Sequence, residues 1–359
     1  MKKNQKDLKT GFTTGAAAAA ASKAALIMYF YKEPPESVNI TLLTGKQIKI
    51  PVLKCFFKEG KVQCSVIKDA GDDPDITHKA EIGCIVSFEE KFETQINILG
   101  GHGVGKVTKP GLEVLPGKAA INPGPVKMIK QSVNEILEQE HKKGRVTITI
   151  FVPKGLELAK KTLNSRLGII DGISILGTTG LVRPLSHEAY VATIKSSLSV
   201  ARAAKLTTIV LTTGRRSEKF AQNKWSKLPE EAFCQMGDYF AETLQNAVNK
   251  GFKEIILAVF FGKAVKMAQR VPNTHAAKSN LSVQFLSNIA LNITKNKEVC
   301  KEISNAVTAR HVFDIVINDH KEIIFEIGKK MIDSAKYFTN NKVKINGVIF
   351  DYQGNVIFY

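Results

Sequence analysis

Apolar positions along the chain change period between its two halves, and the change divides the elements it predicts. Residues 16–31 form an alanine-rich apolar run that predicts a buried helix, opening after a Thr13-Thr14-Gly15 turn. Residues 38–53 alternate around Thr44-Gly45-Lys46, the pattern of a hairpin. A further strand is expected over residues 61–67, and a strand pair over 80–88 and 92–99. Met128, Ile129, Val133, Ile136 and Leu137 recur at helical spacing, which predicts a helix over 126–142 that opens at Asn122-Pro123-Gly124-Pro125.

Beyond that helix, strands and helices alternate. Strand 146–152 precedes helix 155–163; helix 187–204 leads to strand 207–211; helix 236–249 leads to strand 254–259 and a helix start at Gly262-Lys263. Such a rhythm implies a mostly parallel sheet. A helix over 319–337 and a hairpin around Gln353-Gly354-Asn355 close the chain. The expected architecture is α+β followed by α/β. Residues 1–143 form an α+β domain with a mixed or antiparallel sheet, and residues 144–359 a Rossmann-like α/β domain with a mostly parallel one. Lys142-Lys143-Gly144 marks the boundary.

Charge narrows the partners. With 51 Lys and Arg against 33 Asp and Glu, the net charge is +18, which favours an acidic partner: nucleic acid, an anionic membrane, or a polycarboxylate or phosphate ligand. No RNP motif, zinc-finger spacing or long basic block is present, so a nucleic-acid reading rests on charge alone. The basic start MKKNQKDLK imitates a signal peptide, but Thr13, Thr14, Gly15 and Lys23 interrupt the apolar core that such a peptide needs. The apolar run is also too short to span a membrane. Cys55, Cys64, Cys84, Cys234 and Cys300 are odd in number, widely spaced and include no CxxC pair. Reduced thiols in a cytoplasmic protein are expected, with no disulfide framework and no structural zinc.

Four stretches carry chemistry. Residues 161–186 place Gly168, Gly172, Gly177 and Gly180 among short apolar runs, with Thr178 and Thr179 between two of the glycines. Ser186 can cap the helix that follows. This is either a tight connection or a small-ligand site of backbone amides and hydroxyls. Residues 68–78, KDAGDDPDITH, crowd Asp69, Asp72, Asp73 and Asp75 beside Lys68. A calcium loop counted from Asp69 would need glycine at Pro74 and glutamate at Ala80, so an ordered loop with aspartates as turn formers and ligand acceptors is expected. Residues 100–108, GGHGVGKVT, nearly fit a P-loop, but Val107 stands where a magnesium-binding hydroxyl belongs. What survives is a loop of Gly101, Gly103 and Gly105 with His102 and Lys106, suited to an anionic group. Last, Thr178–Gly180, Thr213–Arg216 and Gly262–Lys263 are expected as loops at the carboxyl edge of one parallel sheet, with Asn273-Thr274-His275 nearby.

Together the motifs resemble those of a known family. TGFTTGAAAAAA (10–21), KDAGDDPDITH (68–78), GGHGVGKVTKPGLEV (100–114) and AINPGP (120–125) come first, followed by LAKKTLNSRLGIIDGISILGTTGLVRPLS (158–186), GKAVKMA (262–268) and NTH (273–275). In this order they resemble the CbiD family, the cobalt-precorrin-5B C-1 methyltransferases of anaerobic cobalamin biosynthesis. The chain departs from the family pattern at Ala17, Phe260, Arg215-Arg216, Ala276 and Asn280, so family roles of a cysteine at 17 and a histidine at 260 do not carry over.

The resemblance implies methyl transfer from S-adenosylmethionine to C-1 of cobalt-precorrin-5B, giving cobalt-precorrin-6A. Cobalt enters only as part of the corrinoid polycarboxylate substrate. Asp69, His102 and His275 are the candidates for handling a proton. The binding candidates in the first domain are Thr13, Thr14, Gly15, Lys68, Asp72, Asp73, Gly101, Gly103, Gly105, Lys106 and Asn122. Those in the second are Asn164, Gly177, Thr178, Thr179, Gly180, Gly214, Gly262, Lys263, Asn273 and Thr274. No metal ligands, nucleic acid or membrane are expected, and a homo-oligomer is compatible with the sequence. Two other readings stay open: an ATP-dependent small-molecule kinase, and a non-catalytic corrinoid- or anion-binding protein.

Overall fold

The computed structural model describes residues 8–184, 186–275 and 283–359. The basic residues 1–7 and the positions Ala276 and Asn280 lie outside the described residues. The chain forms two compact units that divide between His187 and Glu188.

In the first unit, β1 (Gly11–Phe12) runs straight into α1 (Thr14–Tyr31). Thr13 caps that helix, its hydroxyl accepting from the Ala16 amide at 3.2 Å. Thr14 and Gly15 are therefore helical residues, not a turn before the helix. Alanines 16–21 are fully buried, and their small side chains let α1 pack closely on its neighbours. Next come the expected hairpin, β2 (Ser37–Thr41) and β3 (Gln47–Pro51), then β4 (Lys54–Lys58), β5 (Lys61–Ile67), β6 (Glu81–Glu90) and β7 (Gln95–Gly100). The short strands β8 (Gly103–Val104) and β9 (Lys106–Val107) precede α2 (Pro123–Gln139), β10 (Gly144–Phe151) and α3 (Gly155–Ala159). Three two-residue strands complete the unit: β11 (Ile169–Ile170), β12 (Gly172–Ile173) and β13 (Leu181–Val182).

Its main sheet has the order β4-β5-β6-β10-β7. β10 pairs antiparallel with β6 and parallel with β7, so the expected pairing of β6 with β7 does not occur. This also moves the unit boundary away from Lys143–Gly144. Val146, Ile148 and Ile150 of β10 are fully buried in the same core as Val62, Ile82 and Val86, which ties β10 to the first unit. Lys142-Lys143-Gly144 is only a helix–strand connection.

The cysteine expectation also needs correction. Cys55 and Cys64 are opposite each other across β4 and β5, Cα atoms 4.1 Å apart, and form a disulfide. Register across strands brings them together, and their spacing in sequence does not reveal it. Cys84, opposite Cys64 on β6, is free, as is Cys300. Burial pushes the Cys84 thiol up to about 12, against a hydrogen bond with Ser22.

The second unit contains α4 (His187–Ala203), β14 (Thr208–Thr212), α5 (Arg215–Lys224), β15 (Phe233–Gln235), α6 (Phe240–Asn249), β16 (Glu254–Phe260) and α7 (Phe261–Ala268). After these come α8 (Val283–Thr294), α9 (Lys297–Ser304), α10 (Ala309–Asp319), α11 (Lys321–Phe338), β17 (Lys344–Phe350) and β18 (Val356–Phe358). The expected helix 319–337 is α11, with α10 ending just before it; α8, α9 and α10 carry no sequence expectation. Strand order is β15-β14-β16-β17-β18, parallel except for β18. Ile209, Leu211, Ile255 and Leu257 face a core shared with α6, α7 and α11. Val210, Ala258 and Val348 face the opposite side with Ala221 of α5. Covering both faces explains why these strands read as continuous apolar runs. No helix among the described residues is long and apolar enough to cross a membrane.

Candidate active site

Residues 172–182 form a strip that gathers motifs from across the first unit. Gly172 and Ile173 pair with Gly103 and Val104. Ile175 donates to Ala120 O at 2.8 Å and accepts from the Asn122 amide at 2.9 Å. Leu176 donates its amide to the Thr14 hydroxyl at 2.9 Å and accepts from the Gly15 amide at 3.1 Å. The Thr13 amide donates to Gly180 O at 2.9 Å, and β13 pairs with β1. Gly103, Asn122, Thr13, Thr14, Gly15, Gly177 and Gly180 are thus neighbours along one strip. Asn164 braces it from behind, donating to Gly172 O at 3.1 Å. Thr178 and Thr179 lie exposed on it.

Close approach sets the glycine positions. Gly177 has φ 145°, and a Cβ there would collide with the Thr13 side chain. Gly103 has φ 72°, and its Cβ would run into the carbonyl of Val152. The glycine-rich loop is not the expected amide cradle. The amides of Gly101, Val104, Gly105 and Val107 donate to Ile150, Gly101, Ile173 and Lys118 carbonyls. Its glycines serve backbone packing. Lys106 and His102 are exposed, and His102 Nε2 lies 3.3 Å from Pro153 O. Asn122 donates its side-chain amide to Glu113 at 3.2 Å.

The Asp-rich loop attaches to the N-terminal segment. Phe12 donates to Asp69 O at 2.7 Å, and the Lys9 amide to the Asp72 carboxylate at 2.9 Å. Lys68 is 1% exposed and ion-paired with Asp75, which also accepts from the Thr77 amide and hydroxyl. Burial alone would raise the Asp75 carboxyl, but the Lys68 charge and these hydrogen bonds hold it below its ordinary value. Asp69 accepts from the Gly71 amide at 2.8 Å, and the Asp73 amide donates to Ala70 O at 3.3 Å. The loop's aspartates act as turn formers. Sequence reasoning passed over His78. Its Nδ1 accepts from the Ala70 amide at 3.1 Å and lies 3.7 Å from Asp69 Oδ1.

The remaining candidates belong to the second unit. Lys263, in the first turn of α7, pairs with Asp238, which follows β15. Thr274, fully buried, donates its hydroxyl to Asp238 Oδ1 at 2.9 Å, and its carbonyl accepts from Lys263 and Lys266, each at 3.2 Å. The His275 amide donates to Asn273 Oδ1 at 3.1 Å. Burial opposes ionisation of Asp238, yet Lys263, Thr274 and His275 hold its carboxyl below the ordinary value. Tyr190 and Tyr239 pack nearby with ring centroids 5.0 Å apart, and burial pushes Tyr190 up to about 12. Asp238 escaped the sequence reading because its strand is only three residues long; the glycine–acid pair just past an apolar segment was the available signal. Thr213–Arg216 and Gly262–Lys263 do follow parallel strands. Thr178–Gly180 does not, since it belongs to the first unit's strip.

A family model described as CbiD matches residues 1–184, and one described as CbiD, C-terminal domain, matches residues 273–359. The chain is 41% identical to the cobalt-precorrin-5B C(1)-methyltransferase of Desulfotalea psychrophila, over 95% of this chain and 96% of that one. This chain belongs to the CbiD family. A protein of the same name from Priestia megaterium is 42% identical, over 90% of this chain and 88% of that one. A solved cobalamin biosynthesis protein (cbiD) from Archaeoglobus fulgidus is 30% identical, covering 71% of this chain and 78% of that one with a TM-score of 0.40.

Within this CbiD chain, the first family match takes in the whole strip, from Thr13 to Gly180, and the Asp-rich loop. The second begins at Asn273, the first residue of Asn-Thr-His. Gly214, Asp238 and Lys263 fall in neither match.

Proposed function

We infer that the chain is a cobalt-precorrin-5B C(1)-methyltransferase, methylating C-1 of the cobalt corrinoid with S-adenosylmethionine to give cobalt-precorrin-6A. The observation that carries this reading is full-length similarity: relatives of that name match 95% and 98% of the chain at 41% and 40% identity. S-adenosylmethionine supplies a methyl group on a sulfonium, already activated for transfer. What remains for the protein is alignment of the attacking carbon, exclusion of competing groups and the handling of any proton.

The residues fit these tasks. A net charge of +18 attracts a substrate rich in acetate and propionate carboxylates. The strip of Gly177, Thr178 and Thr179 offers exposed backbone and hydroxyls beside the N-terminal segment, and Asp69, whose carboxylate is exposed, accepts the Phe12 amide of that segment through its backbone carbonyl. Asp69, with His78 at 3.7 Å, is the first choice for a proton acceptor, ahead of His102 and His275. Four parallel strands in the second unit support its Rossmann-like reading. The kinase reading is disfavoured, because the amides of Gly101, Val104, Gly105 and Val107 donate to protein carbonyls and leave less of the loop for a phosphate.

Incubating the purified chain with S-adenosylmethionine and cobalt-precorrin-5B tests the reading. S-adenosylhomocysteine should accumulate in step with a singly methylated corrinoid. Neither product forming, under conditions where the Priestia megaterium relative turns over, would overturn it.

A further inference from the structure

We propose that the adenosyl group of the methyl donor is held at the carboxyl edge of the second unit's parallel sheet, with Asp238 accepting from the ribose hydroxyls and the Thr212-Thr213-Gly214 turn facing the donor. This rests on the methyltransferase reading and adds the place and the residues.

Topology provides the first support. Strand order reverses at β14, with β15 on one side and β16 on the other. The helices that follow diverge: α5 after β14 packs on one face, and α7 after β16 on the other. A crevice opens where successive connections part in this way, and such sheets bind nucleotide-like ligands there.

An orphaned hydroxyl lies at that end of β14. Thr212, the last residue of β14, is 0% exposed, and its Oγ1 has no hydrogen-bond partner among the described residues. It shares a strand face with Val210, so it points to the α5 side, at the start of that helix. A buried hydroxyl with no partner is costly, and a polar ligand atom would satisfy it.

Space and a carboxylate complete the arrangement. Gly214 is the N-cap of α5, and a Cβ built there meets nothing within 4 Å. On the adjacent strand, the Met236 amide donates to Thr212 O at 2.8 Å, and Asp238 follows two residues later. Lys263 and Thr274 both bind Asp238 Oδ1, and Oδ2 has no partner among the described residues. Its side chain is 27% exposed. One carboxylate oxygen is thereby fixed while the other stays open to accept from a ribose hydroxyl, an oriented acceptor that ribose needs and a deoxy sugar cannot use.

The test is calorimetric titration of the full chain with S-adenosylhomocysteine, with and without cobalt-precorrin-5B, alongside thermal unfolding of each variant. Gly214→Val places methyl groups in open space on an extended backbone that any residue adopts. It should leave the unfolding temperature unchanged and weaken S-adenosylhomocysteine about 100-fold or more through steric exclusion. Thr212→Val removes only the orphan hydroxyl; it should keep or raise stability and weaken the ligand about tenfold. The wild-type chain should prefer S-adenosylhomocysteine about tenfold or more over an analogue whose ribose lacks both hydroxyls, and Asp238→Asn should abolish that preference.

Unchanged affinity in Gly214→Val, or a ribose preference that survives Asp238→Asn, would overturn the proposed site while leaving the methyltransferase reading intact. A wild-type chain that neither binds S-adenosylhomocysteine with corrinoid present nor transfers a methyl group would overturn the reading itself.

Discussion

The Thr14 hydroxyl accepts the amide of Leu176 at 2.9 Å, joining the first turn of α1 to a strip 162 positions further along the chain. The same hydroxyl lies 3.2 Å from Leu176 O and 3.4 Å from Ser174 O, so it can donate as well as accept. One small side chain therefore sets where the strip's Gly-Thr-Thr-Gly segment sits relative to α1. Thr14→Val should leave the Leu176 amide without a partner and cost about 1–3 kcal/mol, read as a lower midpoint in urea. Thr14→Ser should recover most of that loss.

Buried Lys68 and partly exposed Asp75 form an ion pair with a different sensitivity. Asp75→Asn leaves a fully buried ammonium facing a neutral amide, and is expected to cost about 3–5 kcal/mol at neutral pH. Replacing both partners, Lys68→Met with Asp75→Leu, should cost much less. Equal losses in the two proteins would contradict a pair held together by charge.

Acid stability follows from the same carboxylates. The folded-state values of Asp75 and Asp238 are both lowered, so the unfolded chain takes up protons first as pH falls. Their contribution is complete above the ordinary carboxylate value of about 3.9 and is lost as pH falls through the lowered values. Urea midpoints measured from about pH 5 downward should decline, and decline less steeply in Asp75→Asn.

Gly103 tests the packing of the strip. Alanine there must hold a left-handed φ of 72° with its methyl against the Val152 carbonyl. Strain alone costs about 1–2 kcal/mol and the collision adds to it, so Gly103→Ala should unfold well below the wild-type temperature in a thermal scan.

Several elements were legible in the sequence for local reasons. The alanine run gave α1, alternation gave β2 and β3, and glycine-bounded apolar runs gave β14 and β16. Long-range pairing was not legible. Nothing local says that β10 inserts between β6 and β7, because strand neighbours are chosen by matching buried faces, here Val146, Ile148 and Ile150. Cys55 and Cys64 escaped for the same reason, being joined by register. At the site, residue types were visible but their partners were not. Gly101 and Gly105 suggested an amide cradle, yet their amides bond protein carbonyls. Asp238 and His78 emerged only once the fold placed them beside Lys263 and Asp69.

The central claim is best tested by where the methyl group goes. The chain should be supplied with methyl-labelled S-adenosylmethionine and cobalt-precorrin-5B, and the product examined by carbon nuclear magnetic resonance. The expected result is a single labelled methyl on C-1 of the macrocycle. Label at another ring carbon, or unlabelled corrinoid beside an active relative as control, would contradict it.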